Sequence, residues 1–143
     1  MKLRVSRLCL VILVGLSLVA VASDSASYKG LELKVTGVER ATRVSLQDCP
    51  PGGNIVRGVI RPVEDNEFAT VTIEVNASGF EGGEVPKPVL HDDAGNEYKT
   101  AQSFREVGSQ ETYSCSFAFR VPKGTKVTKV AIEDATIDLS GLE

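Results

Sequence analysis

Hydrophobic and polar residues alternate with a period of two along much of the chain, as in β-strands with one buried face. The clearest alternation covers residues 112–121, and a second covers residues 68–76. We find no dozen consecutive residues with the apolar stripe of an amphipathic helix, so the pattern predicts an all-β domain. The residues predicted to face the core are Tyr113, Cys115, Phe117, Phe119, Val121, Ala69, Val71, Ile73 and Val75.

Five further segments complete the predicted strand set. They are residues 31–38, 55–60, 89–91, 98–103 and one or two strands within 126–139. About seven short antiparallel strands, with turn signals every ten or so residues, are typical of an immunoglobulin-like sandwich of two sheets. We therefore expect a domain over residues 31–143, preceded by a short linker over residues 23–30.

Two irregular connections interrupt the alternation and are the predicted interaction loops. Prolines and glycines prevent regular strand pairing in the first, over residues 45–53, and glycines and prolines mark the second, over residues 79–86. Loops on a rigid scaffold often carry recognition. The candidate interaction residues are Pro50, Pro51, Gly52, Gly53, Phe80 and Glu81.

A third connection reads as a tight hairpin turn, Asp93-Ala94-Gly95-Asn96. Glycine tolerates positive φ there, and Asp and Asn side chains bond back to the backbone. The turn residues singled out are Asp92, Asp93, Gly95 and Tyr98. Asp92, Asp93, Asn96 and Glu97 also offer oxygen ligands for a cation, but their spacing does not match a calcium loop. The turn explains these residues, and we predict no metal site and no cofactor.

The N-terminal segment has the three parts of a secretory signal peptide. Lys2, Arg4 and Arg7 precede an apolar run over residues 8–22 that ends in Ala20-Val21-Ala22. Cleavage before Ser23 is expected. The alternative is an uncleaved membrane anchor, which the run disfavours because it is shorter than the roughly 20 residues that span a bilayer. The sequence thus predicts a signal peptide over residues 1–22. The mature protein is therefore expected to be extracytoplasmic or secreted.

Loss of that segment makes the chain more acidic. The remaining residues include 13 Lys and Arg against 19 Asp and Glu, a formal charge of −6. Such a domain repels phosphate backbones and anionic lipid. Nucleic acid and, after cleavage, membranes are therefore not expected partners.

Cysteine usage agrees with export. Cys9 leaves with the signal, and Cys49 and Cys115 remain as an even pair. Exported chains form and keep disulfides. We predict a Cys49–Cys115 disulfide that holds the first irregular loop against one wall of the sandwich.

Several short motifs resemble a known family. A strand ends near Asn76, a hairpin carries Asp92, Gly95 and Tyr98, and a later strand ends in Phe119-Arg120-Val121-Pro122. Through these, residues 69–141 resemble exported and lipid-anchored bacterial immunoglobulin-like domains of unknown function, related to secreted mycobacterial immunoprotective antigens. The resemblance implies the fold and no activity. Many relatives carry a lipid-accepting Cys after the apolar segment, where this chain has Ser23, so free secretion is expected.

Catalytic chemistry finds little support in the residues. His91 is the one histidine, it has no ligand cluster beside it in sequence, and no Gly-x-Ser-x-Gly motif occurs. The leading expectation is a non-enzymatic module that binds another macromolecule, most simply a protein, at the cell surface or outside it. One alternative is a small-ligand carrier with a pocket between the sheets lined by Tyr113, Phe117 and Phe119. Another is a hydrolase with His91 and two acids in a cleft.

Overall fold

Nearly all regular structure consists of antiparallel strands in the computed structural model, which describes residues 24–52 and 56–143. The predicted signal over residues 1–22 lies outside the described residues. Those residues contain ten strands and one short 3₁₀ turn, Val107–Ser109. The strands are β1 (Ser25–Tyr28), β2 (Leu31–Ala41), β3 (Val44–Gln47), β4 (Val56–Ile60), β5 (Asn66–Asn76), β6 (Val89–Asp92), β7 (Glu97–Lys99), β8 (Thr112–Pro122), β9 (Val127–Ile132) and β10 (Ala135–Asp138).

Two four-stranded sheets form the sandwich. The first sheet has the order β1-β2-β5-β8, and the second has the order β10-β9-β6-β7. Every pair of neighbouring strands is antiparallel. The all-β antiparallel sandwich predicted from the alternation is confirmed, although the described chain has ten strands rather than about seven.

The connectivity is that of an immunoglobulin-like fold. In that fold strands A, B and E share one sheet, and strands C, C′, F and G share the other. Here the strands that correspond to A, B and E are β2, β5 and β8. The strands that correspond to C, C′, F and G are β6, β7, β9 and β10. Where a strand D would pair with E, residues 100–105 run along the edge of β8 instead, held there by Gln102.

The core lies between the sheets and follows the predicted faces. In β5 and β8, Ala69 pairs with Phe119, Val71 with Phe117, and Ile73 with Cys115. All six side chains are buried, and they meet Leu90, Val130 and Ile132 of the second sheet in one cluster. Burial of the inward side chains of β8 contributes on the order of 10 kcal/mol before chain entropy is subtracted.

The outer face of the first sheet is also partly covered. Strands β3 and β4 form a separate two-stranded ribbon whose Leu46 packs on Phe68 and Ala118. Phe68 and Ala118 point away from the main core and are nevertheless buried. This third layer of chain, which the alternation does not predict, accounts for their burial.

Three predicted boundaries need correction. Residues 23–30 were expected to be a linker, but β1 lies in this stretch and pairs with β2 along its whole length. The first irregular loop was expected to begin at Ser45, but β3 continues to Gln47 and pairs with β4. The strand predicted over 98–103 ends at Lys99, because the next residues leave the second sheet to cover the edge of β8.

In the part of the chain that the structure describes, no helix is long and apolar enough to cross a membrane.

Candidate functional site

Four connections meet at one end of the sandwich, which we call the loop end: the turn 29–30 and the connections β3–β4, β5–β6 and β7–β8. The amide of Glu81 donates to the carbonyl of Lys29 at 2.9 Å, and the amide of Ala77 donates to the carbonyl of Glu111 at 2.7 Å. Gly30 and Gly79 approach so closely that a Cβ on Gly30 would lie 1.9 Å from the Gly79 carbonyl oxygen. The predicted interaction loops therefore belong to one surface.

A disulfide fixes the β3–β4 connection to the sandwich. Cys49 is joined to Cys115 of β8, with their Cα atoms 5.5 Å apart, as the even cysteine pair predicted. The amide of Cys49 donates to the Ser103 carbonyl at 2.9 Å, and the amide of Arg105 donates to the Cys49 carbonyl at 2.7 Å. Such a bond is typical of chains in oxidising compartments.

The side-chain carboxylate of Asp48 also binds the β7–β8 connection. Its Oδ1 accepts from the Ser103 amide at 2.9 Å, and its Oδ2 accepts from Nε of Arg105 at 2.8 Å. Asp48 is largely buried while Arg105 is mostly exposed. The guanidinium of Arg105 therefore balances the charge of the buried carboxylate at the base of the β3–β4 connection. These bonds hold the β3–β4 and β7–β8 connections at a set separation.

The space between those two connections is a cleft of about 610 Å³. We call it the proline cleft, and its boundary includes Gln47, Asp48, Pro50, Pro51, Arg105 and Gln110. Of the predicted interaction residues, Pro50, Pro51 and Gly52 line it. Gly53 lies outside the described residues. The lining offers amide, carboxylate and guanidinium groups beside rigid proline rings.

A second cleft, of about 520 Å³, adjoins the first one. We call it the phenylalanine cleft, and its boundary includes Phe80, Glu84, Val85, Phe104, Glu106 and Val107. Phe80 was predicted as an interaction residue and is half-buried here. Glu81, its predicted partner, is exposed and holds the β5–β6 connection to the turn 29–30 through its backbone.

The wall shared by both clefts was not found from the sequence. Glu106 and Ser109 line each of them. Glu106 has left-handed backbone angles, φ 44° and ψ 47°, at the start of the 3₁₀ turn, and its carbonyl accepts from the Ser109 amide at 2.9 Å. The turn is held from below, because Tyr113 Oη donates to the Val107 carbonyl at 2.8 Å. The one sequence feature that could have indicated this wall is the polar, glycine-containing stretch before Thr112.

The predicted hairpin turn lies at the opposite end of the sandwich and does not join the clefts. Its organising residue is Asp92, whose carboxylate accepts from the Ala94 and Asn96 amides, from Asn96 Nδ2 and from Tyr98 Oη at 2.8–3.0 Å. The side-chain bond from Asn96, helped by the other three, lowers the pKa of Asp92 to about 2 although burial opposes this.

Two details of that turn differ from the prediction. Asp93, expected to bond back to the backbone with its side chain, is exposed, and the carboxylate before it does so instead. Gly95 does adopt positive φ, at 82°. Among the described residues, no group of three or more His, Cys, Asp or Glu could hold a metal ion.

The residues of the two alternative functions line neither cleft. Phe117 and Phe119 are fully buried in the core, where Phe117 packs on Phe104 with ring centroids 5.0 Å apart. Tyr113 is likewise buried. His91 lies on β6, with Nδ1 4.0 Å from Oε1 of Glu97, and it lines neither cleft.

Comparison with known proteins gives a structural neighbour and no family. No protein-family model matches the chain, and no curated protein sequence matches it. An uncharacterized β-sandwich protein of Clostridium difficile 630 is similar in structure, with a TM-score of 0.47 and 9% identity over 84% of this chain and 92% of that one. The relation of residues 69–141 to the secreted mycobacterial antigens stays a prediction that none of these matches supports.

Proposed function

We propose that this protein is an exported, non-enzymatic binding module that recognises another protein with its loop end. The observation that carries the proposal is the pair of adjoining clefts, about 610 Å³ and 520 Å³, that share Glu106 and Ser109. Ligand sites are typically concave, largely preformed and few in a protein. Here the concave surface coincides with the loops that interrupt the strand pattern.

Preorganisation supports this assignment. The β3–β4 connection is held by a disulfide and by the Asp48 carboxylate, and the β7–β8 connection is held by Tyr113. A surface that is ordered before binding loses less conformational entropy when a partner docks. The order of these two connections before binding therefore supports a recognition role for the clefts.

The carrier alternative receives less support from the packing. It needs open space between the sheets beside Phe117 and Phe119, and these two side chains are packed within the core cluster. The hydrolase alternative needs two acids around His91, and the one carboxylate within 4.0 Å of its ring in the described chain is that of Glu97. A broad substrate screen with a His91→Ala control separates that alternative from binding.

Photo-crosslinking from two ends of the sandwich tests the proposal. Benzoylphenylalanine placed at Pro51 reports on the loop end, and the same group placed at the exposed Asp93 reports on the opposite end. In native envelope or culture material, we expect a discrete crosslinked protein from position 51 and none from position 93. Identical products from both positions, or none from position 51, would contradict a loop-end binding site.

A further inference from the structure

The phenylalanine cleft combines an apolar floor with an acidic rim. Val85, Phe104 and Val107 are 9%, 8% and 5% exposed, and the half-buried ring of Phe80 lies beside them. Glu84 and Glu106 are exposed at the same cleft. Neither carboxylate has a hydrogen bond or ion pair to another residue of the described chain. The cleft thus offers two free negative charges above a hydrophobic surface.

The surrounding charges leave the loop end acidic. The described parts of those four connections carry Asp48, Glu81, Glu84, Glu106 and Glu111 against Lys29, Lys87 and Arg105. Each of the three cations already has a contact. Arg105 binds Asp48, Lys87 Nζ lies 3.4 Å from the Ala101 carbonyl oxygen, and Lys29 Nζ lies 5.5 Å from the Tyr28 ring centroid. An approaching cation is therefore attracted to this end, and an anion is repelled.

Lys29 shows how a cation is accommodated beside this cleft. Its Nζ lies 3.8 Å from the place that a Cβ on Gly83 would occupy. Gly83 itself has φ 97° and lines the cleft. The chain's own ammonium group thus lies near Gly83 and also faces the ring of Tyr28, which is a favourable cation–π arrangement.

We propose that the phenylalanine cleft takes up a Lys or Arg side chain from an extended segment of the partner protein. This inference rests on the proposed function and specifies its partner. The aliphatic stem of such a side chain would cover Phe80 and Phe104, and its charged head would lie between Glu84 and Glu106. A neutral apolar side chain would desolvate those carboxylates without compensation, and an acidic one would be repelled.

The length of the bound segment follows from the shared wall. Because Glu106 and Ser109 line both clefts, a chain that places its basic side chain in the phenylalanine cleft continues directly into the proline cleft. There Gln47 and Gln110 offer side-chain amides to the backbone of a peptide. The partner segment is therefore extended and crosses the Glu106 turn.

Peptide selection on the purified, disulfide-intact chain tests the inference. A phage-displayed library of random heptapeptides is selected at low salt, and the recovered peptides are synthesised and titrated. We expect Lys or Arg enrichment at one position, and binding that weakens roughly tenfold in the Glu84→Gln/Glu106→Gln variant, because two exposed ion pairs are each worth little. Raising the salt from about 50 to 300 mM should weaken binding similarly, since exposed charges are screened.

The matched control is Glu39→Gln/Glu64→Gln, which removes the same charge from exposed positions outside the clefts and should bind normally. If the selected peptides are neutral or acidic and compete with crosslinking from position 51, the uptake of a basic side chain is contradicted. The proposal of a loop-end binding site would then still hold. Basic peptides whose binding is unaffected by loop-end substitutions would overturn both. Self-association that requires Glu84 and Glu106 would identify a second copy as occupant and would also overturn the inference.

Discussion

The Oε1 atom of Gln102 accepts a hydrogen bond from the backbone amide of Ala118 at 2.7 Å, and so completes the edge of β8 with a side chain. The Nε2 of the same amide donates to the carbonyls of Ser116 and Gln47, at 2.5 and 2.7 Å. Gln102 is 2% exposed. An edge strand with unpaired amides and carbonyls is open to association with other chains. Here a buried glutamine covers that edge and joins it to β3.

Gln102→Leu should therefore destabilise the fold by about 2–4 kcal/mol, because it leaves buried backbone groups on β8 and β3 without partners. Urea unfolding followed by circular dichroism measures the loss. The control is Gln110→Leu, the same change at an exposed residue of the same β7–β8 connection, for which we expect about 0.5 kcal/mol or less. Equal effects of the two substitutions would show that the Gln102 bonds add no stability.

The burial of Gln102 could not be predicted from the sequence, whereas the core faces of the long strands could. The alternation in β5 and β8 predicted the core faces correctly, because a period of two is imposed by the pleat itself. Nothing local distinguishes a buried glutamine from an exposed one, since the groups it binds belong to strands elsewhere in the sequence. The burial of Phe68 and Ala118 was missed for the same reason. An alternating pattern shows which residues share a face and does not show whether a ribbon covers that face.

The candidate site was predictable in its parts and not in its assembly. Pro50, Pro51 and Phe80 stood out because proline and glycine interrupt strands around them. Their meeting at one end depends on how β5 and β8 run, and the wall at Glu106 depends on a left-handed residue that only the folded backbone reveals. The disulfide was predictable because counting an even cysteine pair needs no geometry.

Removal of the disulfide by Cys49→Ala/Cys115→Ala should cost up to about 4 kcal/mol, because a 66-residue separation leaves a long loop free in the unfolded chain. The urea midpoint should fall accordingly. Wild-type protein unfolded with a thiol reductant present serves as the comparison and should match the variant. An unchanged midpoint on reduction would exclude a stabilising role for this bond.

Asp92→Asn should destabilise the hairpin turn above pH 4 and matter progressively less in acid. The hydrogen bonds led by Asn96 lower the pKa of Asp92 from an ordinary 3.8 to about 2 in the folded chain. A carboxyl with a lowered folded pKa stabilises above its unfolded pKa, and this contribution disappears as the pH falls through the folded value. Melting temperatures between pH 7 and pH 2 follow the effect. Asp93→Asn removes the same charge from an exposed neighbour, so a parallel pH profile for both variants would contradict it.

The contact of Gly30 with Gly79 predicts that Gly30→Ala is far more damaging than a similar change at Gly82. Both glycines have positive φ, 80° and 90°, so both substitutions strain the backbone by about 1 kcal/mol. Only the Gly30 methyl would meet backbone, 1.9 Å from the Gly79 oxygen, whereas Gly82 faces open space. We expect a total loss of about 3 kcal/mol or more for Gly30→Ala, because the turn 29–30 and the β5–β6 connection must separate. Urea unfolding measures both variants, and equal losses would mean that this contact does not hold the loop end together.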